Sequence, residues 1–143
     1  MKIAVERVER PGAEQHRAIA ELLETYNDEA GGPDADRPLA LILRDADGGI
    51  QGGLWGRTYW RWLFVELLVV APACRGQGLG RRLMTAAEAE ARARDCIGIW
   101  LDTFSFQAPG FYAGLGFREF GRIPEYPPGR VRHFLLKRLA PDR

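Results

Sequence analysis

Residues 62 to 104 carry the pattern that most narrows the possible folds: an apolar run, a glycine-rich junction, an amphipathic stretch and a second apolar run. The first run, residues 62 to 70, is aliphatic and aromatic with one charge, the composition of a strand covered on both faces at the centre of a sheet. In residues 78 to 94, Leu79, Leu83, Ala87 and Ala91 fall on one helical face, and Glu88/Arg92 and Glu90/Arg94 make i,i+4 pairs on another. Residues 97 to 104 then read as a strand. A strand, a crossover helix and a second strand pack right-handed, which makes the two strands parallel neighbours.

The flanking sequence supplies antiparallel partners. Residues 3 to 8 alternate as a strand would, Pro11-Gly12 breaks the chain, and Ile19, Leu22, Leu23 and Tyr26 recur at helical spacing within residues 13 to 30. Residues 27 to 38, with Asp28, Glu29, Asp34 and Asp36 among glycines and prolines, predict an acidic loop. Asp45-Ala46-Asp47-Gly48-Gly49 joins strands 39 to 44 and 50 to 57 as a hairpin. A short helix over 107 to 115 has Pro109 in its first turn and Gly116 as its stop, and strands 117 to 123 and 131 to 139 close the pattern. The expected fold class is α/β (α+β): one domain over residues 1 to 143, with a mixed, mostly antiparallel sheet, a central parallel βαβ unit and flanking helices.

Composition excludes several functions. Twenty basic against 19 acidic residues leave a net charge of +1, which argues against a nucleic-acid partner. Cys74 and Cys96 have neither metal-ligand spacing nor the look of a disulfide framework, so no metal is expected and a reduced, cytoplasmic chain fits. No apolar run approaches the roughly 18 residues of a membrane span, and charge interrupts the N-terminus before a signal-peptide core forms. A monomer or homodimer without a membrane partner is expected.

Charge becomes informative locally. A helix start exposes unpaired N–H groups and carries about half a positive charge, so it ordinarily recruits acids. Here residues 67 to 87 contain no acid, while Arg75, Arg81 and Arg82 add positive charge around Gly76, Gly78 and Gly80. Either this is a tight glycine turn with solvated arginines, or a bound phosphate supplies the missing charge. The glycine spacing matches neither the mononucleotide P-loop nor the dinucleotide fingerprint.

The run from Leu68 through Arg75-Gly76-Gln77-Gly78-Leu79-Gly80 resembles the acyl-CoA signature of the GNAT superfamily of N-acetyltransferases, Arg/Gln-x-x-Gly-x-Gly/Ala after a central strand. Phe111-Tyr112-Ala113-Gly114-Leu115-Gly116-Phe117 is similar to that family's Tyr-x-x-x-Gly-Phe element. The resemblance covers nearly the whole chain and implies acetyl-CoA as cosubstrate. By it, backbone N–H groups of Gly76, Gln77, Gly78, Leu79 and Gly80, with Arg75 alongside, hold the pyrophosphate. Leu68 and Val70 offer main-chain hydrogen bonds to the pantetheine arm, and a bulge in their strand splays it from strand 97 to 104. Many relatives have an Asn seven residues before the tyrosine; Ser105 stands there, able to bond the pantetheine or to cap the next helix.

Acetyl transfer needs a neutral amine, and with a pKa near 10.4 deprotonation at pH 7 costs about 4.6 kcal/mol. Tyr112 is the candidate acid for the leaving thiolate, or else packs beside Phe111 and Phe117. Glu66 shares strand parity with Leu68 and Val70 and is the candidate base, or else a solvated or salt-bridged strand-end carboxylate. His133 and Asp102 are weaker candidates, and His16 carries no signal. The acidic loop, the aromatics Trp55, Tyr59, Trp60 and Trp62, and the turn at residues 125 to 128 suit a cationic amine, small molecule or peptide, or else the loop is solvated and the aromatics cover the sheet. The expected activity is direct acetyl transfer to a primary amine in a ternary complex, with a non-catalytic acyl-CoA-binding module as the alternative.

Overall fold

The computed structural model describes residues 1 to 105 and 107 to 139, in two compact units, residues 1 to 34 and 35 onward. The first unit contains helix α1, Ala13–Gly31, started by Gly12, whose N–H donates to Gln15 Oε1 (2.8 Å). Residues 3 to 8 form no strand: alternation alone gives no ladder without an edge to pair with. The acidic loop is also shorter than expected. Asp28 and Glu29 belong to the last turn of α1, which ends at the glycines 31 and 32, where Gly32 adopts positive φ.

The second unit is a six-stranded sheet in the order β1-β2-β3-β4-β6-β5, built from β1 (Arg37–Arg44), β2 (Ile50–Tyr59), β3 (Trp62–Val70), β4 (Gly98–Phe104), β5 (Arg118–Pro124) and β6 (Val131–Arg138). Among the described residues only β3 and β4 run parallel, connected through α2 (Leu79–Ala93); α3 (Pro109–Gly114) follows β4. β2 runs to Tyr59 and turns into β3 through Trp60 and Arg61, both left-handed, as a two-residue hairpin turn requires.

One sheet face forms the core. Leu54, Leu63, Ile99 and Leu101 are fully buried there with Leu83, Met84, Ala87 and Ala91 of α2. Each large side chain so buried contributes about 1.5–3 kcal/mol. The expected apolar stripe of α2 therefore holds except at Leu79, which lies nearer the surface. Gly98 is fixed by packing, since a Cβ there would lie 2.5 Å from the Trp62 ring.

β3 is central but not covered along its whole length. Its first half is enclosed; in its second half Leu67 is 65% and Val69 57% exposed. The cause is a bulge: Trp55 faces Leu67 while Gly56 faces Val65, leaving Glu66 as the extra residue.

Candidate active site

The bulge marks the point where β3 leaves β4. Pairing runs from Trp62↔Gly98 to Val65↔Leu101 and stops, and the strands then diverge. Between them lies a cavity of about 1060 Å³, lined by residues 64 to 70, by Arg75, by 101 to 104, and by Gln107, Ala108, Tyr112 and Arg132.

Backbone groups face this gap. Ala71 N–H donates to Gln51 O (2.8 Å), so the antiparallel alternation turns the main-chain groups of Leu67 and Val69 toward β2 and those of Leu68 and Val70 away from it. The side chains of Leu68 and Val70 pack against the core, so each residue both fills the interior and presents its backbone to the cavity. Arg75 Nε donates to Val70 O (3.0 Å), fixing the arginine at the end of the strand.

Beyond Arg75 the chain enters α2 through Gly76 and Gly78, both at positive φ, which admits glycine without strain. α2 has no side-chain cap and no acid in its first turn, so its leading N–H groups have no anionic partner within the helix. A second recess of about 280 Å³ runs over Val70, Cys74, Arg75, Gly76, residues 78 to 81 and Phe111. Gly80 lies beside α3, where a Cβ would make ordinary contact with the Phe111 ring at 3.4 Å. Gln77 is exposed and lines neither space.

Tyr112 lines the cavity and meets Phe111 and Phe117 edge-on, with centroids at 5.1 and 5.9 Å. Both sequence-level roles for this residue are thus geometrically compatible. Burial pushes its phenol pKa up, and the charge of Asp102 adds to the shift. The hydroxyl stays protonated throughout the neutral range.

Glu66 also lines the cavity, but strand parity is not the reason. Leu63 and Val65 face the core, and so do Leu68 and Val70; the alternation inverts across the bulge, so Glu66 is not on their face. Its carboxylate lies 3.5 Å from Arg57 Nε, and Arg57 bonds Asp36 (2.9 Å) and stacks on Tyr59.

Ser105 does not cap α3. Its Oγ accepts the Val131 N–H (3.2 Å) and its own N–H donates to Val131 O (2.8 Å), closing the β4–β6 end. Gln107 instead accepts the Phe104 N–H through Oε1 (2.9 Å). His133 is bonded to Glu119, whose carboxyl this contact and Arg122 hold below the ordinary range. Tyr59, Trp60 and Trp62 face a separate groove with Trp100, Phe120 and Leu136. Tyr126 approaches the cavity wall by accepting a hydrogen bond from Arg132 (2.9 Å). Arg132 is a charged lining residue that sequence reasoning missed: a lone arginine in a strand carries no pattern, and only the register that sets Asp102 opposite Phe134 places it beside that carboxylate.

A fork between parallel strands beside an uncapped, glycine-rich helix start defines an acyl-CoA transferase architecture, and comparison with known proteins agrees. The sequence profile of the acetyltransferase (GNAT) family matches residues 5–117, and the chain belongs to that family. It is an acetyltransferase, with acetyl-CoA as the family's cosubstrate. A blasticidin-S acetyltransferase of Streptomyces morookaense is 48% identical over 107 residues, covering 72% of this chain and 79% of the relative. A crystal structure of an acetyltransferase from Agrobacterium tumefaciens superposes with a TM-score of 0.88 at 36% identity, over 97% of this chain and all of the other (100%). A Bacillus anthracis protein described as a streptothricin acetyltransferase, solved with acetyl coenzyme A, shares the fold at a TM-score of 0.61 and 23% identity, over 69% and 61% of the two chains.

Proposed function

We propose that the enzyme moves the acetyl group of acetyl-CoA onto a primary amine of a small cationic acceptor by direct transfer in a ternary complex. The carrying observation is the fork: its cavity, lined by Leu68, Val70, Tyr112 and Glu66, and the recess over the acid-free start of α2 share Val70 and Arg75 in their walls. The N–H groups of residues 76 to 80 receive the pyrophosphate, where helix partial charge and Arg75 both favour an anion. Leu68 and Val70 bond the pantetheine amides as a neighbouring strand would. Ser105 lines neither recess; its hydroxyl accepts from Val131 and retains a proton to donate.

Glu66 accepts the proton of the attacking amine, directly or through a water. As the amine nitrogen bonds the thioester carbon and the carbon–sulfur bond breaks, Tyr112 donates its proton to the departing sulfur. A phenol held above its ordinary value of about 10 is protonated when the thiolate, with a pKa near 8.5, forms. The blasticidin-S acetyltransferase relative supports a small-molecule acceptor rather than a peptide. We take residues 1 to 143 to act as one cytoplasmic acetyltransferase domain, monomeric or homodimeric.

The test is thiol release from acetyl-CoA against a panel of blasticidin S, diamines, monoamines, amino acids and peptides. Release matched by acetylated amine is expected with a small cationic acceptor. Binding of acetyl-CoA without release on any amine would leave a non-catalytic acyl-CoA module.

A further inference from the structure

Past Val65 and Leu101, the last paired residues of β3 and β4, the next residue on each strand is a carboxylate that lines the cavity: Glu66 and Asp102. They are held very differently. Glu66 is more than a third exposed, and its 3.5 Å approach to Arg57 Nε is an ion pair without a short hydrogen bond. Asp102 has only 15% of its side chain exposed; its Oδ1 accepts a hydrogen bond from Arg132 Nε (2.8 Å) and lies 2.7 Å from a terminal nitrogen of the same guanidinium. Arg132 is itself pinned. Its other terminal nitrogen donates to the Tyr126 hydroxyl, and its guanidinium lies 4.9 Å from the Tyr126 ring, 5.3 Å from Phe104 and 5.4 Å from Phe134. Among the described residues none donates to Asp102 Oδ2.

We propose that Asp102 is a specificity residue whose Oδ2 binds a cationic group of the acceptor, ammonium or guanidinium, other than the nitrogen that is acetylated. This rests on the acetyl-transfer reading above and deepens it. A carboxylate bonded to the reacting ammonium favours the protonated form and so opposes the deprotonation that transfer requires. A rigid carboxylate therefore serves a cation that stays charged, and the looser Glu66 serves the nitrogen that must lose its proton. Arg132 is a positioning residue: it occupies one carboxylate oxygen and holds the side chain so that the other oxygen is left for a ligand. The acceptor class this selects is a small molecule carrying two cationic centres.

The probes are 1,5-diaminopentane and pentylamine, matched in length and different by one charge, with blasticidin S as a third acceptor. Wild type is expected to favour the diamine at least tenfold in kcat/KM, the scale of one hydrogen bond to a charged group. In Asp102→Asn the loss on the diamine should exceed the loss on pentylamine at least tenfold and appear mainly in KM, with the acetyl-CoA-induced rise in Tm retained as evidence of folding. Asp102→Glu should recover part of the preference. If Asp102→Asn does not fold, Arg132→Lys provides the second test, lowering the diamine preference by loosening Asp102. A wild type without preference for the diamine, or variants that lose both amines equally, would overturn the proposal while leaving acetyl transfer intact. No thiol release by wild type from any of the three acceptors would instead remove the transfer reading, and this proposal with it.

Discussion

The two halves of β3 show how one strand serves two ends. From Trp62 to Val65 it pairs with β4, buries Leu63 completely and sits within the core. From Glu66 to Val70 it has lost that partner, exposes Leu67 and Val69, and borders a cavity. A single extra residue at the bulge separates the two. It reverses which side chains face inward and lets the strands part, so backbone groups that would have been spent on a ladder are left for another molecule. Substitutions in the paired half should therefore cost stability, and those around the open half should cost binding or turnover.

Steady-state kinetics should show the largest effect. Tyr112→Phe removes the proton donor but keeps the ring packed against Phe111 and Phe117, and is expected to lower kcat by about 100-fold or more while acetyl-CoA still raises Tm. Unchanged turnover would remove the acid role and return Tyr112 to packing alone. In the paired half, Leu63→Ala should lower unfolding free energy by about 2–5 kcal/mol in denaturant titration, through a cavity in the core.

Arg75→Glu sharpens the contrast from the other side. At a concentration near one hundred times its dissociation constant, acetyl-CoA should stabilise wild type by about 2.7 kcal/mol, and the variant should lose that shift with little change in its own Tm. Gly98→Ala drives a methyl group toward the Trp62 ring and should destabilise by about 1–3 kcal/mol without a selective effect on acetyl-CoA binding. The smallest effect concerns alkali. Burial raises the folded-state pKa of Tyr112, so its contribution to stability is complete below the unfolded value near 10 and is lost as pH rises through the folded value. Tyr112→Phe should flatten the fall in Tm above pH 10 relative to wild type.

Much of this was legible in the residues. The parallel β3–β4 pair followed from two apolar runs around an amphipathic helix, and the anion-receiving start of α2 from an acid-free stretch rich in arginine and glycine. Residues 3 to 8 misled because alternation reports a preference for extended backbone and says nothing of a partner edge. Glu66 misled through parity, since a bulge is invisible to a period-two count and inverts every assignment beyond it. Asp102 and Arg132 are 30 positions apart, and only strand register makes them neighbours. Of the two roles expected of Ser105, bonding the pantetheine or capping the next helix, the cap is not made, because its hydroxyl accepts from Val131 across the sheet.

Amide hydrogen exchange on the free protein and with acetyl-CoA tests the open fork most directly. The Leu63 and Val65 amides, on the β4 side of the paired half, should exchange slowly in both states. Those of Leu68 and Val70 should exchange fast in the free protein and become protected when acetyl-CoA is added. Protection of Leu68 and Val70 without acetyl-CoA, or no change on adding it, would contradict the account.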